Sequence, residues 1–205
     1  MSHTADNVSQ ELAVLRELFA SATHDASAAM CRWTDGAISV VLDEIHKIPM
    51  EEVGARLGIG DDLLTMVVMT LEGELGGSLI LVFDETNGRQ LAASLLGREA
   101  AASSPWSDLE KSALAETGNI LGCAYVNALT RLIGTNLLPS PPYFIQDYGI
   151  SVLEQALTAQ AVASDSLLFC DIGFRREGSR LDWRVLFVPT PQLQAALEHS
   201  LCTAR

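Results

Sequence analysis

The chain reads as an α/β protein of the α+β type. It is a pseudo-two-fold duplicated domain in which long helices pack on a mixed, largely antiparallel sheet. Two observations predict this. The order helix, extended piece, short helix, hairpin, helix occurs twice, over about residues 8–97 and again over about 106–205. Each half also offers only a two- or three-stranded piece, too small to be stable alone. Joining the halves in one sheet removes exposed edges and builds one core, so residues 1–205 are expected to form a single domain. The 48% apolar content is enough for that core.

In the first half, Leu12, Leu15, Phe19, Ala22, Ala26, Ala29 and Met30 recur at helical spacing, which predicts a helix from about Gln10 to Arg32. Gly36 can take the positive φ that closes it. The β-branched run Ala37 to Ile48 reads as a strand, and Pro49 to Val53 as a short helix with its acids near the N-terminal dipole. Leu63 to Leu71 and Ser78 to Asp84 flank Gly-rich residues and read as a hairpin. A helix over Glu85 to Leu96 ends at Gly97, and Arg98 to Pro105 is the best linker candidate.

The second half opens with a helix over Asp108 to Ile133. Ser107 and Glu110 form a capping box at its start, and Gly134 marks its end. Pro139, Pro141 and Pro142 force an extended segment. Tyr143 to Gln146 reads as a short strand and Tyr148 to Ala161 as a helix. Leu167 to Phe174 and Leu181 to Val188 form a second hairpin, and Pro191 to Cys202 is a closing helix. Trp33, Trp106 and Trp183 lie near element ends and are expected at the edges of the core.

Composition excludes several functions. A net charge of -13 disfavours nucleic acid and anionic membrane surfaces as partners. No apolar run is long enough for a membrane span. MSHTADNVSQEL lacks the basic and apolar regions of a signal peptide, so it is expected to be a frayed lead-in to a cytoplasmic protein. Cys31, Cys123, Cys170 and Cys202 are scattered without CxxC spacing, and three lie in apolar segments, as buried thiols do. His3, His24, His46 and His199 are equally scattered, so no metal site is expected; no cofactor of the chain's own is expected either. Gly73, Gly76 and Gly77 lie between strands with no GK[ST] following, so they form no phosphate loop.

What remains is a polar stripe on the second long helix. Ser112, Glu116 and Asn119 stand at i, i+4 and i+7, on one face. Leu109, Ala113, Leu114, Thr117, Ile120, Leu121 and Ala124 are expected to close the opposite side. The stripe can be a solvated face or a tool presented to a partner. Asn119 is a poor mid-helix residue, and beside Gly118 it costs stability without an evident packing gain. Such local inconsistency points to function.

These residues carry a family resemblance. Ser112, Glu116, Asn119 and, after twenty-two further residues, Pro142 match the motif of the CheC/CheX/FliY family of chemotaxis response-regulator phosphatases. GNILG (Gly118 to Gly122), PPYFIQD (Pro141 to Asp147) and PMEEV (Pro49 to Val53) are also similar, and the duplicated layout extends the likeness over nearly the whole chain. The family usually keeps a second motif in the first half. Here Ala13, Glu17, Ala20 and Asp43 occupy those positions, so one working centre is expected.

The resemblance implies a protein phosphatase acting on the aspartyl phosphate of a CheY-type response regulator, whose own Mg²⁺ and lysine sit beside the phosphoryl group. Asn119 would orient the attacking water and Glu116 would pair with that lysine. Ser112 and Pro142 would shape the site. A CheD-type receptor deamidase is a further partner that the family implies. Relatives of this architecture also serve as flagellar-switch or adaptor components, so a non-catalytic role is the alternative.

Overall fold

The computed structural model describes residues 2–57, 63–100, 105–148, 151, 166–176 and 178–203. Helix α1 spans Ser2–Trp33 and is followed by strand β1 (Ser39–Pro49), a 3-10 turn (Met50–Glu52) and short helix α2 (Val53–Leu57). Strands β2 (Leu63–Glu72) and β3 (Gly77–Phe83) lead to α3 (Glu85–Leu95). The second half runs α4 (Asp108–Ile133), β4 (Leu138–Pro139), β5 (Tyr143–Tyr148), β6 (Ser166–Arg176), β7 (Ser179–Pro189) and α5 (Pro191–Thr203).

Most elements fall where residue pattern and turn chemistry put them. Gly36, Gly97, Gly134 and Gly178 all carry positive φ at element ends. Helix α1 starts at Ser2 rather than near Gln10. No proline or glycine lies between these two residues, so nothing in the lead-in stops the helix. The helix expected over Tyr148 to Ala161 lies almost wholly outside the described residues. Tyr148 itself ends β5, and Ser151 is helical.

The strands form one sheet in the order β1-β6-β7-β3-β2-β4, with β5 also paired to β2. Every described pairing is antiparallel. The halves exchange their outer strands. β1 of the first half pairs with β6 of the second, and β5 of the second pairs with β2 of the first. The two hairpins meet edge to edge through β3 and β7.

Side chains alternate across the central strands, so each strand feeds two clusters. Val67, Met69 and Leu71 of β2 face the long helices. Met66 and Val68 face a smaller cluster with Val53, Ile80, Val82, Phe169 and Leu186. Both faces are therefore apolar, which is why β2 and β3 read as nearly continuous apolar runs.

The larger cluster joins α1 and α4 to the sheet. Phe19 stacks on Tyr125 with ring centroids 5.0 Å apart, and the Tyr125 hydroxyl is 2.9 Å from Thr23 Oγ1. Burial holds the Tyr125 phenol far above its ordinary pKa, so it stays protonated as a hydrogen-bonding group.

Trp183 corrects the expectation of a core-edge tryptophan. It is fully buried in mid-strand, stacked on Phe83 at 3.9 Å and edge-on to Phe174 at 4.8 Å. Trp33, at the end of α1, is 42% exposed. Of the four thiols only Cys170 is buried; Cys31 and Cys123 are half-buried and Cys202 is exposed. An apolar neighbourhood in sequence does not say which side of a helix a cysteine takes.

The start of α4 is fixed by charge as well as by its cap. The Ser107 backbone N–H donates to Glu110 Oε2 at 2.9 Å, the Ser107 hydroxyl at 2.7 Å, and the Glu110 N–H donates back to Ser107 Oγ at 3.3 Å. The buried Glu110 carboxylate also meets Arg98 at 3.1 Å and buried Arg89 at 3.5 Å. Arg89 in turn bonds Glu85 and lies 4.1 Å from the centre of the Trp106 ring. Burial alone would raise the Glu110 pKa. The Ser107 hydrogen bonds and the two arginines outweigh it, and the net shift is downward.

Two predictions follow from this frame. Glu110 has a folded pKa below its ordinary value of 4.5, so its contribution is complete above that value and is lost as pH falls through the folded pKa. Glu110→Gln should destabilise the protein by about 3 kcal/mol at neutral pH, because it leaves Arg89 short of a buried counter-charge. The gap to wild type should shrink in urea titrations below about pH 4. The strand exchange predicts that a fragment of residues 1–97 alone gives no cooperative unfolding transition, and that mixing it with residues 106–205 restores one.

Candidate functional site

Helix α4 carries the stripe on its outer face. Ser112 and Glu116 are exposed and Asn119 is half-buried. The inward side holds Ala113, Leu114, Thr117 and Leu121, all buried, while Ile120 and Ala124 are half-buried. Leu109 is the exception to the expected apolar side: it is 58% exposed. It stands three residues before Ser112 and seven before Glu116, so helical spacing places it on the exposed stripe.

Pro142 lies far away in sequence and close in space. It is half-buried, just ahead of β5, and β5 pairs with β2 beneath α4. A Cβ built on Gly118 would stand 3.8 Å from Pro142 Cβ. The fold therefore brings Pro142 against the backbone of the residue next to Asn119. Ser112 is two turns nearer the helix start.

The Asn119 carboxamide is engaged from within its own helix. The Cys123 thiol donates to Asn119 Oδ1 at 3.4 Å. Burial pushes the Cys123 pKa up and the Glu116 charge adds to this, so the thiol keeps the proton it donates. A carbonyl oxygen has a second lone pair, so Asn119 can still accept from one more donor, and its NH₂ group can donate. The arrangement presents a neutral donor and acceptor beside a carboxylate one turn away. Among the described residues no group of three or more His, Cys, Asp and Glu could hold a metal ion.

The glycine beside Asn119 has a tertiary reason. A helix-interior glycine costs about 1 kcal/mol relative to alanine, and the packing gain that offsets it is invisible in one dimension. Gly118 and Gly122 are both buried, and both face β2. A Cβ on Gly118 would lie 2.4 Å from Val67 Cγ1, and one on Gly122 would lie 2.7 Å from Met69 Sδ. Glycines four apart on the inner side of a helix were the signal for this close approach. Nothing in the sequence pointed to Val67, whereas Cys123, four residues after Asn119 on the same helix, was within reach of helical spacing.

The matching region of the first half is built differently. Ala13, Glu17 and Ala20 are exposed on α1. Asp43 sits at a register shift in β1, and its carboxylate is ion-paired with Arg180 of β7. The Arg180 guanidinium lies over Gly173 of β6. Where α4 has Gly118 and Gly122, the same alignment places Phe19 and Thr23 in α1. Both side chains are committed to Tyr125.

No protein-family model matches the chain. A Halobacterium salinarum protein carrying the name CheY-P phosphatase CheC1 is 25% identical over 140 residues, 68% of this chain and 71% of the relative. The CheY-P phosphatase CheC of Bacillus subtilis is 24% identical over 170 residues, 79% of this chain and 78% of the relative. Among solved structures, Thermotoga maritima FliY superposes with a TM-score of 0.70 at 15% identity, covering 95% of this chain and 97% of that one. The FliM middle domain from H. pylori gives 0.65 at 14% identity, covering 91% and 96%. At such identities the structural likeness speaks for the fold. With the sequence relatives and the motif on α4, the chain is similar to the CheC/CheX/FliY family of chemotaxis proteins in sequence and in fold.

Proposed function

We propose that the chain is a chemotaxis phosphatase that hydrolyses the aspartyl phosphate of a CheY-type response regulator. The observation that carries this reading is the placement of Glu116 and Asn119 on one outward face of α4, with Pro142 packed beside the backbone of Gly118. The names of the Halobacterium salinarum and Bacillus subtilis relatives support it.

In this reading the protein contributes position and polarity rather than a covalent intermediate. Water attacks phosphorus in line, the bond from phosphorus to the receiver's carboxylate oxygen breaks, and the aspartate leaves as a carboxylate. Asn119 Oδ1, already holding the Cys123 thiol on one side, accepts a hydrogen bond from the water. Its NH₂ group donates to a phosphoryl oxygen. A neutral carboxamide does this without repelling the phosphoryl oxygens, as a carboxylate would. Glu116, exposed one turn away, pairs with the receiver's lysine and sets the register of docking. Exposed Leu109, on the same stripe, offers an apolar contact at its outer end. Ser112 and Pro142 shape the site, and the Mg²⁺ belongs to the phosphorylated partner.

A second reading is a non-catalytic adaptor, flagellar-switch component or binder of a CheD-type deamidase. The likeness to FliM and FliY folds supports it. The reading favoured here differs in requiring turnover.

Phosphate release from a phosphorylated receiver domain separates the two. Asn119→Ala should lower the turnover rate by about 100-fold, as loss of a water-positioning group does, with docking largely kept. Glu116→Ala should weaken both turnover and docking, the latter by about tenfold. Glu17→Gln in the first half should leave the rate unchanged. Wild-type turnover by Asn119→Ala would remove the proposed mechanism, and a large loss in Glu17→Gln would restore a role to the first half.

A further inference from the structure

Of the two α4 glycines that face the sheet, Gly118, next to Asn119, leaves the less room for a side chain. A Cβ on Gly118 would stand 2.4 Å from Val67 Cγ1 and 3.3 Å from Val67 Cβ. Val67 is fully buried in β2, paired to β3 on one side and β5 on the other. Its branched side chain has little rotamer freedom to turn aside. Pro142, the other neighbour, is a rigid ring. One turn on, a Cβ on Gly122 would meet Met69 Sδ at 2.7 Å and Cε at 2.8 Å. Those atoms are the far end of a flexible thioether that can repack. The two glycines therefore differ: an added Gly118 methyl would overlap the stiff Val67 with Pro142 in ordinary contact beside it, and an added Gly122 methyl would meet a yielding side chain.

We propose that Gly118 is a positioning residue for the phosphatase reaction, an inference that rests on the function proposed above. By letting α4 seat on Val67 and Pro142, Gly118 sets the depth at which the Asn119 carboxamide meets the phosphoryl group. Relief of the Val67 overlap needs about 1 Å of outward movement, the scale at which misplacement costs about 100-fold in rate. Glu116 stands a turn earlier and fully outside, so docking survives that movement. The expected defect is in turnover and not in binding. At the matching place in α1 stands Phe19, whose side chain stacks on Tyr125 of α4, and there the stripe lacks the motif.

The test compares wild type with Gly118→Ala, Gly118→Ala/Val67→Ala and Gly122→Ala in phosphate release from a phosphorylated receiver. Thermal unfolding is recorded for each protein. Gly118→Ala should lower kcat by about 10- to 100-fold with KM nearly unchanged. The Val67→Ala partner change removes two carbons against the one added, so it makes room for the new methyl with a one-carbon gap left over, and should recover most of the loss. Gly122→Ala should stay near wild type. Wild-type kcat in Gly118→Ala overturns the proposal. So does equal damage from Gly122→Ala, or a folded double variant that recovers nothing.

If Gly118→Ala does not fold, recovery of kcat in the double variant supports the proposal and its absence overturns it. If wild type itself releases no phosphate, the phosphatase reading fails separately. The side-chain amide resonances of Asn119 then decide the geometric claim. They should shift in Gly118→Ala and return in the double variant; unchanged resonances overturn it.

Discussion

Helix α4 meets strand β2 through bare backbone at Gly118, with Val67 filling the space a side chain would take and Pro142 in contact beside it. That contact ties three distant pieces of chain together. β2 comes from the first half, Pro142 leads into the strand that pairs with β2, and α4 carries Glu116 and Asn119 on its far side. A helix seated this closely has little freedom to rock. Its outward face is then as well placed as the sheet beneath it. The buried Glu110 network holds the start of the same helix, so α4 is fixed at one end by charge and near its middle by close packing.

The exchange of strands explains how an outward helix face is held in place. Each hairpin takes its outer strand from the other half, and the hairpins meet through β3 and β7. The two long helices then lie on one face of one sheet and pack on each other through Phe19, Thr23 and Tyr125. The same framework is used asymmetrically. In α1 the slots matching Gly118 and Gly122 hold side chains that grip the other helix, and Asp43 is held by an ion pair with Arg180. The first half supplies strand β2, on which the α4 stripe stands.

Much of this was legible in the sequence because it rests on local rules. Period and turn residues located the elements, and the Ser107–Glu110 box and Gly134 bounded α4 to the residue. The outward stripe followed from helical spacing alone. The same arithmetic should have placed Leu109 on it, since it stands seven residues before Glu116. What could not be read depends on tertiary distance. The burial of Trp183 and the exposure of Trp33 are set by packing between elements. So is the reason for Gly118, which looks like a defect until β2 is laid beneath it. The exchange of outer strands is equally invisible, because nothing local tells β1 to choose β6.

The central claim is that the α4 face turns a phosphorylated receiver over rather than holding it. The most direct measurement is the lifetime of the receiver's aspartyl phosphate at substoichiometric amounts of this protein. One chain should shorten the lifetime of many receivers, with inorganic phosphate released in step. A lifetime that is unchanged, or that responds only up to one chain per receiver, would contradict it.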